Sequence, residues 1–78
     1  MPHVIVKMWP GPSEAQKRRL AERIVKDVME TLKTGEESIS VAIEEVKAQD
    51  WAERVYKPEV APNLDRLYKK PGYGLEDL

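Results

Sequence analysis

The feature that most constrains this chain is a helical pattern of apolar residues between two short runs rich in β-branched residues. The first run is HVIVKM, His3–Met8, which is followed by the turn residues of WPGPS. The second run is SISVAIEEV, Ser38–Val46. Between them, apolar side chains recur at the four-residue spacing of one helix face: Leu20, Ile24, Val28 and Leu32. A strand, a helix of about five turns and a second strand predict a β-α-β unit with parallel strands and a right-handed crossover.

Local signals predict where the helix begins and ends. Ser13, followed by Gln16, fits a capping box, in which each side chain accepts a hydrogen bond from the other residue's backbone N–H. Gly35 is expected to end the helix, because glycine adopts the left-handed backbone of a helix stop at little cost. The helix is therefore predicted from about Glu14 to about Lys33.

Beyond the second strand the pattern becomes irregular. Asp50 and Glu53 predict the cap of a short helical turn that contains Trp51. Pro58 and Pro62 are expected to interrupt any long helix, although Pro62 can also begin a short one. The expected fold class is α/β, with two parallel strands, one long helix and a short C-terminal helical extension.

Size and composition exclude several kinds of protein. At 78 residues the chain is expected to form one domain, residues 1–78, and such a small domain buries only about 60% of its unfolded surface. The absence of cysteine excludes disulfides and thiolate zinc sites, and the single histidine, His3, argues against a histidine-based metal site. A net charge of −1 argues against a nucleic-acid partner. With no apolar run of roughly 20 residues and no signal-peptide pattern, we expect no membrane partner and a cytoplasmic location.

The predicted sheet has one face that the chain does not cover. Side chains alternate between the two faces of a strand, so Val4 and Val6 face one way and Ile5 the other. One helix covers one face, yet parallel sheets are normally buried on both. Ile5 and Ala42 share the uncovered face, and a second copy of the chain would cover it. We therefore predict a homo-oligomer and favour a homodimer.

The start of the chain places a proline in an unusual position. Pro2 follows Met1 and directly precedes the first strand. Proline is small enough for the initiator methionine to be trimmed in most cells. Trimming would leave a secondary amine at the beginning of a β-strand, where it would be partly desolvated.

Several stretches of the chain together carry a family resemblance. They are the opening PHVIVKMWP, SEAQK at the start of the helix, SIS in the second strand, and the closing KKPGY. In these stretches the chain resembles the 4-oxalocrotonate tautomerase family, and in particular its short bacterial branch, which is associated with phenylpyruvate-type tautomerisation. The resemblance covers nearly the whole chain, and it implies a small β-α-β unit that assembles as an oligomer.

The resemblance implies keto–enol tautomerisation with no metal and no organic cofactor. The amine of Pro2 would then be the general base that moves a proton between oxygen and carbon of a small keto or enol acid. A general base works best with a pKa near the ambient pH, and an ordinary α-amino group has a pKa of about 7.7–8.0. Partial burial or a nearby cation would lower the pKa of the Pro2 amine towards neutrality.

The resemblance also points to substrate-binding residues. Two arginines of the type enzyme, which handle the carboxylate and carbonyl groups of its substrate, fall at Pro12 and Ser40 of this chain, so neither cation is present. Ser40 offers a hydroxyl in place of one of them. Trp51 matches the pocket aromatic of the type enzyme. Arg54, one helical turn from Trp51, is the best substitute cation, and Lys7 and Lys70 are weaker candidates. Losing both arginines favours a less charged, aromatic or aliphatic 2-keto acid as substrate.

Two other readings compete with the tautomerase prediction. Related families on the same scaffold hydrate or dehalogenate unsaturated acids, with Pro2 protonated and acting as an acid. Alternatively, the chain is a non-catalytic oligomeric module, which the two missing arginines favour. His3 is expected to have a structural or interface role, because neighbouring strand side chains point to opposite faces and His3 cannot simply act with Pro2.

Overall fold

A computed structural model describes the whole chain, Met1 to Leu78, and divides it into two compact units. The first unit is Met1–Glu45 and the second is Val46–Leu78. The expected single domain over residues 1–78 stays a prediction.

The first unit is the predicted β-α-β unit. Strand β1 spans His3–Met8, helix α1 spans Glu14–Leu32 and strand β2 spans Ser40–Glu45. The two strands are parallel, and their register places His3 opposite Ser40 at the first pair. The predicted fold class, with two parallel strands and one long helix, is confirmed.

The start of α1 and its end near Lys33 match the prediction, and only the residue that stops the helix differs. The backbone N–H of Gln16 donates to Ser13 Oγ at 3.1 Å, and the N–H of Ser13 donates to Gln16 Oε1 at 2.8 Å, which completes the capping box. The predicted stop at Gly35 is wrong. Lys33 ends the helix in the left-handed conformation, with φ 55° and ψ 50°, and its N–H donates to the carbonyl of Met29. The helix therefore closes its last turn without a glycine.

Strand β2 is shorter than the predicted Ser38–Val46, because residues before it form a 3₁₀ turn, Glu36–Ser38. The Ser38 hydroxyl donates to the carbonyl of Gly35 at 3.0 Å and is hydrogen-bonded to the Thr34 hydroxyl at 2.8 Å. Serine side chains that bond to nearby backbone compete with the ladder of a sheet. The strand consequently begins only at Ser40.

The second unit is a series of short helical segments. They are 3₁₀ turns at Ala48–Asp50, Ala61–Arg66 and Leu75–Asp77 and a π-helix at Ala52–Val60. The expected interruption at Pro58 is wrong, because Pro58 lies inside the π-helix. In an α-helix its ring would meet the carbonyl four residues before it, and the wider π turn leaves more room there. Pro62 lies in the first turn of the short segment Ala61–Arg66, close to the start that the sequence predicts for it.

Buried apolar side chains occur in only one of the two units. Val46, Val55 and Tyr56 are buried, and all three belong to the second unit. Within the β-α-β unit, Ile5 is 50% exposed and Leu32 is 59% exposed. The first unit therefore has more apolar surface than a single chain buries.

An ion-pair cluster joins the start of α1 to the end of β2. Lys17 Nζ lies 2.9 Å from Glu45 Oε2 and 3.4 Å from Glu14 Oε1. The hydrogen bond to Glu45 raises the pKa of Lys17 above its ordinary value of 10.5, partial burial opposes this, and Glu14 raises the pKa further. The lysine therefore binds its proton more tightly in the folded protein than in the unfolded one.

Lys17→Met is expected to lower the free energy of unfolding at neutral pH, because it removes both ion pairs. A raised pKa contributes stability that is complete below 10.5 and is lost as the pH rises through the folded-state pKa. The difference between wild type and Lys17→Met should therefore shrink in strongly alkaline solution. Urea denaturation at several pH values measures it, with Lys26→Met as the matched helix control. A difference that persists unchanged at high pH would contradict this account.

Candidate active site

Pro2 is held at the beginning of the sheet. Its carbonyl accepts a hydrogen bond from the backbone N–H of Ser40 at 3.2 Å, so it is fixed to the first residue of β2. Pro2 is half-buried, whereas Met1 is fully exposed. Removal of Met1 would leave a secondary amine at this fixed position, and retention of Met1 makes the same nitrogen an amide without basic character.

The side chains of His3 and Ser40 lie opposite each other at the start of the two strands. His3 Nδ1 and Ser40 Oγ are hydrogen-bonded at 2.5 Å, and both residues are exposed. Either atom can be the donor, depending on where the imidazole carries its proton. The predicted substrate-binding residue Ser40 is therefore already engaged by a titratable neighbour.

The second unit contains an aromatic cluster around Trp51. Its indole Nε1–H donates to the hydroxyl of Tyr73 at 3.0 Å. The ring of Tyr73 in turn lies 5.7 Å from that of Tyr56, with the two planes inclined by 47°. Because its only polar hydrogen is used by Tyr73, Trp51 can offer a ligand its ring but no hydrogen bond.

The predicted site residues thus fall into two sets. Pro2 and Ser40 are brought together at the start of the sheet in the first unit. Trp51 and Arg54 lie within one short stretch of the second unit, where Arg54 is exposed at the start of the π-helix. That all four share one pocket stays a prediction.

Two contacts of the predicted site residues have no signal in the sequence. His3, for which a structural or interface role stays a prediction, is hydrogen-bonded to Ser40, and this contact depends on a strand register that the predicted start of β2 at Ser38 does not give. Tyr73 was assigned no role, yet it is the partner of Trp51. Twenty-two residues separate that pair, so no local pattern could reveal it.

No group of three or more histidine, cysteine, aspartate or glutamate side chains is arranged to hold a metal ion. None of the helices has both the length and the apolar character needed to cross a bilayer. The expected cytoplasmic location stays a prediction.

The bond between Trp51 and Tyr73 should be measurable in a double-mutant cycle. Trp51→Phe removes the donor and Tyr73→Phe removes the acceptor, and both keep an aromatic ring. Each change is expected to lower the free energy of unfolding by about 0.5–1.5 kcal/mol. The double variant should be only slightly less stable than either single one, because the same bond is lost once. Urea denaturation tests this, and strictly additive effects would contradict it.

The fold and site define a class: a small protein with a parallel β-α-β unit and a proline at the entry of its first strand. Residues 2–55 match the family model described as tautomerase enzyme. The chain therefore belongs to the tautomerase family, and it is an enzyme of the isomerase class. The resemblance to 4-oxalocrotonate tautomerase found in the sequence is confirmed.

Individual relatives support the same assignment. The chain is 43% identical over 74 residues to a probable tautomerase of Xylella fastidiosa, with 95% of this chain and 90% of the relative covered. It is 42% identical over 74 residues to the tautomerase PptA of Cronobacter sakazakii, with coverages of 94% and 97%. The crystal structure of YwhB, a homologue of 4-oxalocrotonate tautomerase, superimposes with a TM-score of 0.57 at 46% identity. That superposition covers 59% of this chain and 75% of YwhB.

Proposed function

We propose that the chain catalyses the cofactor-independent keto–enol tautomerisation of a 2-keto acid or its enol, with the amine of Pro2 as general base. The observation that carries this proposal is the position of Pro2. It is the first residue of the family match, it directly precedes β1, and its carbonyl is tied to Ser40. The relatives named as tautomerases support the reaction type.

The proposed proton transfer needs one basic nitrogen. The unprotonated Pro2 amine accepts the hydroxyl proton of the enol, and the carbon–oxygen bond becomes a carbonyl. The electron pair of the carbon–carbon double bond moves to the carbon at the other end of that bond. The resulting ammonium group delivers a proton to that carbon, and the amine is restored. The pyrrolidine ring and the Ser40 hydrogen bond limit the motion of Pro2, so little entropy is lost in positioning it.

Three side chains are proposed to bind the substrate. The hydroxyl of Ser40 serves as a polar contact beside the base. Trp51 supplies a ring for the apolar part of the substrate, since its N–H is already bonded to Tyr73. Arg54, which is exposed, supplies a positive charge that attracts the negatively charged substrate. This combination suits an aromatic or aliphatic 2-keto acid better than a dicarboxylate.

We also propose that the enzyme works as a homodimer. The first unit contains no buried apolar side chain, and Ile5 remains half exposed on the sheet face opposite the helix. A groove of about 440 Å³ along α1, lined in part by Ala21, Val25 and Met29, offers further apolar surface. Light scattering after gel filtration should give about twice the chain mass of 9.0 kDa, and a stable monomer would contradict the dimer.

The pH dependence of the reaction tests the role of Pro2 as base. Conversion of the enol of a 2-keto acid to its keto form is followed by ultraviolet absorbance over a range of pH. A base must be unprotonated, so kcat/KM should fall as the pH is lowered through the pKa of the amine. Loss of activity with rising pH would instead indicate a protonated proline acting as an acid, as in the hydratase and dehalogenase reading.

A further inference from the structure

The hydroxyl of Tyr73 has no part in the proton transfer described above. Tyr73 lies in KKPGY, residues 69–73, a stretch that carries part of the family resemblance and has no role in the proposed reaction. Its hydroxyl accepts the indole N–H of Trp51 at 3.0 Å, across 22 positions of the chain. Both side chains are half-buried. This hydrogen bond therefore ties the C-terminal stretch to the ring that is proposed to contact the substrate.

We propose that Tyr73 is a positioning residue whose hydroxyl holds the Trp51 ring in one fixed orientation towards the substrate. The inference rests on the proposed function, since it concerns the ring that Trp51 offers to the apolar part of a 2-keto acid. Tyr73 acts through Trp51 and does not itself touch the substrate. It determines how strongly the enzyme distinguishes a substrate that carries an aromatic ring from one that does not.

The ring of Tyr73 is itself held by a core residue. Its centroid lies 5.7 Å from that of Tyr56, with the planes inclined by 47°, and aromatic side chains attract each other at this distance. Tyr56 is 8% exposed and lies in the π-helix, so it belongs to the core of the second unit. Because the ring packs against the core, the hydroxyl that it carries is an acceptor at a fixed position.

The backbone on both sides of Tyr73 is restricted as well. The N–H of Gly74 donates to Asp77 Oδ2 at 2.9 Å, and the N–H of Asp77 donates back to the carbonyl of Gly74 at 3.0 Å. These two hydrogen bonds close the last 3₁₀ turn directly after Tyr73. Two residues before Tyr73, the ring of Pro71 fixes its own φ. Tyr73 therefore has little freedom to withdraw its hydroxyl from Trp51.

The orientation of the Trp51 ring matters because contacts between aromatic rings depend on geometry. Offset-stacked and edge-to-face arrangements are the favourable ones. While its N–H is bonded to Tyr73, the indole cannot turn about its side-chain bonds without losing that hydrogen bond. Without the Tyr73 hydroxyl, the ring gains other orientations in which the N–H bonds to water. A substrate with an aromatic ring is then bound less well, whereas a small aliphatic substrate loses little.

Steady-state kinetics with two substrates test the proposal. Tyr73→Phe removes the hydroxyl and keeps the ring that packs on Tyr56. It is expected to raise KM for the enol of phenylpyruvate about fivefold with little change in kcat, because the hydroxyl contributes about as much as one neutral hydrogen bond. KM for the enol of 2-ketobutyrate, which has no ring, should change less than twofold. Tyr68→Phe, which alters a fully exposed tyrosine, is the matched control and should change neither KM. Equal effects of Tyr73→Phe on both substrates would overturn the proposal.

A Trp51→Phe background distinguishes positioning from direct contact with the substrate. Phenylalanine keeps an aromatic ring but has no N–H that Tyr73 could hold. In this background Tyr73→Phe should cause no further rise in KM for the phenylpyruvate enol, so the effects of the two changes are not additive. A rise in KM that persists in this background would show that Tyr73 acts independently of the indole N–H, and it would overturn the proposal.

A measurement without substrate separates failure of this proposal from failure of the proposed function. The chain has two tryptophans, so Trp9→Phe leaves Trp51 as the only source of indole fluorescence. In that variant the anisotropy of Trp51 should decay mainly with the tumbling of the protein. Adding Tyr73→Phe should introduce a faster component from side-chain motion on the picosecond to nanosecond timescale, whereas adding Tyr68→Phe should not. An unchanged decay in the Tyr73→Phe variant would overturn the proposal, whether or not the enzyme turns over a keto acid.

Discussion

Pro2→Ala is expected to lower kcat/KM for enol–keto conversion by up to about 10²–10⁴-fold, the whole contribution of a positioned general base. Alanine leaves a primary amine at the chain start, but it lacks the ring that limits the motion of the nitrogen. The loss should lie mainly in kcat, since the substrate-binding groups remain. Initial rates measured at saturating and at low substrate concentrations separate the two constants.

The matched control for this variant is Pro10→Ala, which makes the same substitution in the exposed turn after β1. We expect it to keep nearly wild-type activity. Circular dichroism and gel filtration of both variants should show that fold and assembly are intact. If Pro2→Ala retained wild-type kcat/KM, the proposed role of Pro2 would be wrong, even though the family assignment would stand.

Tyr56→Ala is expected to lower the free energy of unfolding by about 3–5 kcal/mol, the usual cost of removing a buried aromatic ring. Tyr56 is one of three buried apolar side chains, and its ring packs against Tyr73 with a centroid distance of 5.7 Å. Since small domains have only about 5–15 kcal/mol in total, this loss would leave the protein marginally stable. Urea denaturation at a fixed protein concentration measures the effect, because assembly makes stability depend on concentration.

Tyr56→Phe is the control for this second prediction. It keeps the ring and its contact with Tyr73 and removes only the hydroxyl, so we expect a change within about 1 kcal/mol. A Tyr56→Ala variant as stable as Tyr56→Phe would show that the ring does not contribute to the core.

The first unit could be predicted well because its signals are local and agree with one another. The alternation in HVIVKM set β1, whose bounds of His3–Met8 match the prediction. The pair Ser13 and Gln16 placed the start of α1 correctly. In both cases, residues within one helical turn or one strand determine where the element begins. The register of the sheet then follows from the pairing of the two strands.

The errors arise where one local rule competes with another. Gly35 was expected to stop α1, but Lys33 closes it in the left-handed conformation two residues earlier. Pro58 was expected to break a helix, but a π-helix contains it. Composition rules describe the α-helix, and they do not predict when a wider turn removes the clash that proline causes.

The site could be predicted only in part. The sequence indicates Pro2 and Ser40 separately, and the structure brings them together, since the backbone N–H of Ser40 donates to the carbonyl of Pro2. The side-chain bond between His3 and Ser40 required the register of the sheet, and the bond between Trp51 and Tyr73 required the fold of the second unit. Contacts between residues far apart in sequence depend on tertiary structure, which no short pattern encodes.

The most direct test of the account compares two forms of the enzyme that differ only at the start of the chain. One has Met1 removed, verified by intact mass, and the other carries an extra residue before Pro2 that cannot be trimmed. The account predicts that the form with a free Pro2 amine converts the enol at least about 10²-fold faster, because an amide nitrogen cannot act as a base. Equal rates for the two forms would contradict the claim that the Pro2 amine is the catalytic base.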